Sequence, residues 1–262
     1  MNAIERIELD FIDLGLGLGL IGLAIALSAW QQLGLSGQFA LAAARTVVQL
    51  LVVGFFLEFV FEWRNPLVVL AVLLVMLTIA AIVARNRIGK KIPNLLPFVW
   101  GSIFVSTALT LVYVNFLVLR QPQAWFDPQY LIPLTGIVLG NAMNASAIAG
   151  ERLASTMNTS QVEIETHLCL GATPEQAIAR YRKDAIRAGL IPTLNAMMVV
   201  GIVTLPGIIT GQILSGISPI NAAAYQILIM FMLAFATLMT AILVTKAISQ
   251  QFFTRSAQLK KF

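Results

Sequence analysis

The chain has 262 residues, of which 58% are hydrophobic and only 11% are charged. An ordinary soluble domain has about 25% charged residues, so this composition excludes a water-soluble globular protein. The formal net charge of +5 is therefore interpreted as a membrane-topology signal, and no nucleic-acid partner is expected. The single cysteine, Cys169, excludes an internal disulfide.

The apolar residues fall into runs that are long enough to cross a membrane. A spanning helix needs about 20 mainly apolar residues, because the hydrocarbon layer is about 30 Å thick. Seven such runs, separated by polar or Gly- and Pro-containing breaks, lie near residues 11–30, 38–61, 66–84, 95–119, 130–157, 188–217 and 222–248. We predict an all-α polytopic membrane protein with about seven transmembrane helices, in one transmembrane domain covering residues 1–262. The acidic start, Glu5, Glu8 and Asp10, is unlike that of a signal peptide, so the first run is expected to stay as an anchor.

The basic residues between the runs predict which side each break faces, because translocation disfavours Lys and Arg in short loops. Alternate breaks carry most of them, namely Arg85, Arg87, Lys90 and Lys91, then Arg152, Arg180, Arg182, Lys183 and Arg187, then Lys246, Arg255, Lys260 and Lys261. The other breaks hold only Arg6, Arg64 and Arg120. We predict an outside N-terminus and a cytoplasmic C-terminus, which requires an odd number of spans.

Polar side chains inside the runs are candidates for a substrate pathway, because lipid disfavours them. In the second run Arg45 and Gln49 are four residues apart and share one helix face. In the fifth run Asn141 and Asn144 lie 11 to 14 residues from Tyr130, which predicts a position near the membrane midplane. Snorkelling of Arg45 and amide bonds between helices are the structural alternatives. Glu151 follows near the predicted cytoplasmic mouth.

The sixth run has the composition of a broken helix. Pro192 is near its inner end, and Pro206 and Gly207 are followed by Gln212. Proline removes a backbone donor, and membrane proteins tolerate such breaks where they line a cavity or are covered by protein. Pro206 and Gln212 are therefore further pathway candidates.

Metal ligands are poorly marked in the sequence. Glu58 and Glu62 are weak candidates near the predicted outer rim, where a merely solvated acidic face is the alternative interpretation. The sequence contains no HxxxH or CxxC spacing, and the metal site is left unassigned.

The break at residues 158–187 is long enough to form structure of its own. It predicts two short helices separated by the turn Gly171-Ala172-Thr173-Pro174, with a capping box from Thr173 to Gln176. The second helix is basic and amphipathic, so an interfacial helix lying on the membrane is the alternative.

Glu165, followed six residues later by Gly171 in a cytoplasmic loop before the penultimate span, resembles the EAA-type coupling segment of ABC permeases. Thr166 and His167 stand where that segment has two alanines. The stretches LGNAMNASAIAGERL, LGATPEQAI and AIRAGLIPTLNAMMVVGIVTLPGIITGQILSG closely resemble the iron-export permease family, the FetB-like proteins, and their plant aluminium-tolerance relatives.

The resemblance implies a homodimer of permeases that pairs with separate ATPase subunits in the cytoplasmic (inner) membrane and exports iron or a related metal. It also implies that Glu165, His167, Gly171, Ala172 and Thr173 contact the ATPase. Plant relatives are linked to a nucleotide sugar, so a permease for a non-metal substrate is a second possibility.

Other function classes have less support in the residues. The chain has no GxxxxGK[ST] loop, so ATP and Mg are expected on the partner subunit, with no cofactor bound by this chain and no enzyme activity of its own. An ion-coupled secondary carrier is the alternative, but deep carboxylates and an internal repeat are not evident. A membrane enzyme is disfavoured, because His167 and Cys169 are two residues apart and point to different helix faces.

Overall fold

The computed structural model describes residues 10–63, 65–89, 92–120, 127–254 and 258–260, and nearly all of them are helical. The helices are α1 (Phe11–Trp30), α2 (Ser36–Trp63), α3 (Pro66–Ile88), α4 (Leu95–Tyr113), α5 (Pro128–Thr159), α6 (Gln161–Cys169), α7 (Pro174–Val199), α8 (Gly207–Leu214) and α9 (Pro219–Gln251). A π-helical segment, Val114–Leu119, continues α4. Several charged residues of the topology argument lie outside the described residues, namely Glu5, Arg6, Glu8, Arg64, Lys90, Lys91, Arg255 and Lys261.

The fold class predicted from the sequence is confirmed. Six of the described helices are long and apolar enough to cross a membrane, and they match six of the seven predicted runs to within about four residues at each end. The remaining run, residues 188–217, is divided between the second half of α7 and α8.

Proline sets the start of four long helices. Pro66, Pro128, Pro174 and Pro219 each occupy the first turn, where the missing N–H has no helical partner to lose. The residue before each proline is a polar cap whose side-chain oxygen accepts a backbone N–H, and these caps are Asn65, Asp127, Thr173 and Ser218.

The chain divides into two compact units, Met1–Trp63 and Arg64–Phe262. In the first unit, α1 packs against α2 as a helical hairpin. Their connection uses positive φ at Gln32 (53°) and Gly34 (69°). Their large apolar side chains are mostly exposed, including Leu16 at 72% and Trp30 at 77%. Such surfaces suit contact with lipid or with another apolar protein surface.

In the second unit, α5 is the central helix and packs against α3, α4, α7 and α9. Small residues permit the closest approach, as expected for helices that pack in lipid. A Cβ on Gly189 of α7 would lie 2.9 Å from the Ala145 carbonyl oxygen and 2.9 Å from the Ala149 Cβ of α5. The α5–α7 contact therefore depends on a glycine.

Hydroxyl groups also join the helices of the second unit. The Ser106 and Thr240 hydroxyls, both buried, form a hydrogen bond of 2.5 Å between α4 and α9. Arg182 of α7 donates to the Thr245 hydroxyl and the Ile242 carbonyl of α9, at 3.4 Å each. These bonds fix α9 against two neighbouring helices.

The segment after α5 differs from the prediction in one respect. We expected a short second helix and then a separate span from residue 188, but α7 runs without interruption for 26 residues, through Arg187 and past Pro192. Proline inside this helix leaves one carbonyl without its usual donor but does not end it. The predicted break near Pro206 is confirmed, because α7 ends at Val199 and α8 begins at Gly207, with Pro206 as its N-cap.

Candidate functional site

One face of α5 carries the predicted amides. Asn141, Asn144 and Glu151 share this face by helical periodicity. Asn141 is half-buried, while Asn144 and Glu151 are exposed. The Asn141 side-chain nitrogen donates to the Ile137 carbonyl in its own helix, at 2.9 Å. The polar face of α5, defined by these three residues, is therefore left open by the other helices of the second unit.

Arg87 joins this face from α3. Its guanidinium donates to the Asn144 side-chain oxygen at 3.3 Å. Sequence reasoning had placed Arg87 only in a cytoplasmic break, because it lies near the end of the apolar run. A long side chain near the end of a span can reach back along the helix. This property of arginine could have predicted that Arg87 joins the polar face.

The helix contacts give the level of Asn144 relative to α3. A Cβ on Gly150 of α5 would lie 2.6 Å from the Ile88 side chain at the end of α3. Asn144 precedes Gly150 by six residues, so it lies about 9 Å along the helix from that level. Half of the 23-residue α3 is about 16 Å long, so Asn144 lies roughly midway between the middle of α3 and its basic end. Its position near the membrane midplane remains a prediction. With 32 residues, α5 is longer than one membrane crossing needs.

The remaining polar candidates of the first unit lie on α2. Arg45 and Gln49 are both exposed there, and so are Glu58 and Glu62. Among the described residues, no group of three or more His, Cys, Asp or Glu side chains is arranged to hold a metal ion. The structure therefore does not bring Glu58 and Glu62 into such a group with other described residues.

The break between α7 and α8 holds Pro206 and is followed by Gln212. The Gln212 side-chain oxygen is buried and has no hydrogen-bond partner among the described residues. The side-chain oxygen of Gln226 in α9 is also buried without a hydrogen-bond partner among the described residues, and only 5% of this residue is exposed. Sequence reasoning missed Gln226, although a lone amide inside the seventh apolar run was a visible signal.

The predicted coupling segment consists of α6 and the turn that joins it to α7. Gly171 has φ of +91°, the conformation that favours glycine at a helix end. The turn is a Schellman motif, in which the Ala172 N–H donates to the His167 carbonyl and the Gly171 N–H to the Leu168 carbonyl, at 3.0 Å each. The capping box of Thr173 and Gln176 is confirmed by both of its hydrogen bonds, at 3.3 and 2.9 Å.

This segment has an anchored side and an exposed side. Ile164 is fully buried in the hydrophobic cluster that also contains Ile88, Leu95 and Ile248, and Leu168 packs against that cluster. The exposed side presents Glu165, His167 and Gly171 together with the apolar Val162 (79%) and Leu170 (80%). An exposed surface that carries apolar side chains and is anchored on its other side by a buried residue is suited to contact with another protein.

Fold and site together define a polytopic α-helical membrane protein with a structured turn between α6 and α7. The family model described as "Uncharacterised protein family (UPF0014)" matches residues 11–253. The chain belongs to this UPF0014 family.

Relatives in several organisms agree with this assignment. The UPF0014 membrane protein slr1647 of Synechocystis is 55% identical over 97% of each chain. The protein ALUMINUM SENSITIVE 3 of Arabidopsis thaliana is 34% identical over 91% of this chain and 85% of its own. The probable iron export permease protein FetB of Escherichia coli is 32% identical over 94% and 93%. The resemblance to FetB-like and plant aluminium-tolerance proteins is thus confirmed, while no solved structure matches the chain with significance.

Proposed function

We propose that this chain is the permease subunit of an ABC transporter that exports iron or a related metal, with ATP and Mg bound by a separate ATPase subunit. The observation that carries the proposal is the coupling segment, whose exposed residues surround a rigid turn. The name of the E. coli relative, a probable iron export permease, supports both the class and the cargo.

The coupling segment has a direct mechanical connection to the membrane helices. The turn at Gly171 leads through Thr173 into α7, which continues for 26 residues, about 39 Å, to the break at Val200. The buried Ile164 belongs to the hydrophobic cluster that also includes residues at the ends of α3, α4 and α9. A displacement imposed on the turn by an ATPase is thereby passed along α7 to the break, where a change of backbone conformation is cheapest.

The pathway in this proposal follows the polar face of α5. An exposed Asn144 bonded to Arg87 is expensive against lipid, so we expect this face to line a water-filled path. A second copy of the chain would supply the other wall, which is the reason for proposing a homodimer. Two further candidates, Asn141 and Glu151, belong to the same polar face of α5. In the first unit, Arg45 and Gln49 remain predicted pathway residues, because exposed polar side chains are expensive against lipid.

The experiment is to express the chain with a candidate ABC ATPase subunit from the same organism and to purify the pair. Glu165→Lys reverses a charge on the exposed side of α6, and we expect it to reduce ATPase retention about tenfold. Gln258→Lys, an exposed change in the C-terminal tail, is the matched control and should retain the ATPase. Equal retention by wild type and Glu165→Lys would contradict docking at this segment.

A further inference from the structure

The helix break in the second unit adjoins a cavity of about 470 Å³ that the pathway above does not use. Its walls come from the end of α7, the break, α8 and α9. The residues that matter for its chemistry are Met197, Gly201, Pro206, Gln226 and Met230. The rest of the lining is aliphatic or aromatic, and none of the described residues that line the cavity is charged.

A side-chain oxygen without a partner belongs to a residue that lines this cavity. Gln226 is 95% buried by area, and its Oε1 has no hydrogen-bond partner among the described residues. In a continuous helix the Gly201 N–H would bond the Met197 carbonyl, but here it donates to the Thr204 carbonyl at 2.9 Å. The Gly201 N–H is thus not the donor to the Met197 carbonyl that a continuous helix would provide. A buried amide oxygen without a partner is costly, which indicates that a ligand or water completes it.

The donor set is neutral and partly soft. Met197 and Met230 line the cavity and carry thioether sulfurs, while Gln226 carries an amide oxygen. The C-terminal end of α7, which carries partial negative charge, also faces the break. Thioethers suit soft or borderline metal ions, whereas hard ions of high charge prefer carboxylates.

We propose that this cavity is a transit site for a transition-metal cation of low charge, bound by the Gln226 oxygen and the thioethers of Met197 and Met230. The site selects ferrous iron or cuprous copper over ferric iron and aluminium, because neutral donors compensate little of a trivalent charge. The absence of a carboxylate keeps binding weak, which a transport site requires if the ion is to leave. This inference rests on the proposed metal export and names the form of the metal.

The test measures metal binding to the permease alone, in lipid nanodiscs, by equilibrium dialysis. The probes are Fe(II) under anaerobic reductant, Cu(I), and the citrate complexes of Fe(III) and Al(III), with empty nanodiscs as the blank. We expect Fe(II) and Cu(I) to bind and both trivalent ions to bind at least about tenfold more weakly. Wild-type protein that binds no divalent or monovalent ion above the blank, or that binds the trivalent ions equally well, overturns the proposal.

Variants locate the binding. Gln226→Leu and the pair Met197→Leu with Met230→Leu preserve volume, and each should weaken Fe(II) binding about tenfold. Met232→Leu is the matched control, because Met232 is a buried methionine of α9 that does not line this cavity. Iron X-ray absorption should show a sulfur neighbour in wild type and lose it in the double variant. Unchanged binding in both ligand variants would leave the cavity as a lipid or water pocket.

These results separate the two proposals. If the ligand variants bind Fe(II) normally while the ATPase is still retained, the proposed metal site is wrong and the permease assignment stands. If no ATPase is retained but Fe(II) binding depends on Gln226, the proposed metal site is supported and the ABC assignment fails.

Discussion

At the scale of single residues, the hydrogen bond between Arg87 and Asn144 is the feature that most sharply distinguishes a pathway from passive packing. Asn144 is exposed, so replacing it removes a polar group from an open face and leaves the packed core untouched. Amides that merely join helices would instead be buried between them.

The first prediction concerns this pair. Asn144→Leu should reduce substrate-stimulated ATP hydrolysis of the complex about tenfold, because Arg87 loses its partner on the polar face. The amount of folded permease should not change. Gln129→Leu, an exposed amide in the first turn of the same helix, is the control and should leave hydrolysis intact. Normal hydrolysis in Asn144→Leu would remove this residue from the pathway.

The second prediction concerns the glycine at the α5–α7 contact. Gly189→Ala should destabilise the protein by about 1–3 kcal/mol, since the new methyl meets the Ala145 backbone oxygen. Gly140→Ala in α5 meets nothing within 4 Å and should be neutral or stabilising by up to about 1 kcal/mol. Thermal unfolding in detergent measures both changes. Equal effects of the two substitutions would show that α5 and α7 do not pack this closely.

At the scale of elements, the sequence was most informative where local chemistry decides the structure. The proline starts, the Thr173 capping box and the positive φ at Gly171 depend on a few neighbouring residues, and the capping box and the turn at Gly171 were predicted correctly. The continuity of α7 was not predicted, because its first half is basic and its second half is apolar. The change from basic to apolar residues along α7 looks like a helix boundary in the sequence, although the backbone hydrogen bonds continue across it.

The third prediction tests α7 as one rigid element. Lys183→Pro places proline in the middle of α7, at an exposed position, and should break the helix at a cost of about 3 kcal/mol. We expect the ATPase to be retained and substrate-stimulated hydrolysis to be lost. Lys183→Ala keeps the helix and should behave as wild type. Stimulated hydrolysis that survives the proline would mean that the coupling signal does not travel through α7.

At the scale of the whole molecule, composition predicted the membrane class, and the apolar runs predicted six of the helices closely. The depth of Asn144 stays a prediction, because it depends on how far α5 extends beyond its neighbours. The cavity at the break was also hidden, since Met197 and Gln226 are 29 positions apart and meet only after folding.

The fourth prediction is the orientation of the chain. The distribution of Lys and Arg predicts that a reporter fused at the C-terminus is active in the cytoplasm and that one at the N-terminus lies outside. The physical reason is the cost of moving basic loops across the membrane. Paired reporters that are active on one side and silent on the other measure this directly. Both termini on the same side would require an even number of spans.

The turn after α6 is proposed to contact a separate ATPase, and the exposed cysteine of this chain allows that contact to be tested directly. Cys169 is the single cysteine, and it is exposed at the end of α6. A photoreactive maleimide on Cys169 should crosslink the permease to the copurified ATPase. The matched control moves the cysteine to the start of α5 (Cys169→Ser with Gln129→Cys) and should give no adduct. Efficient labelling of Cys169 without any adduct, in the presence of the ATPase, would contradict the account.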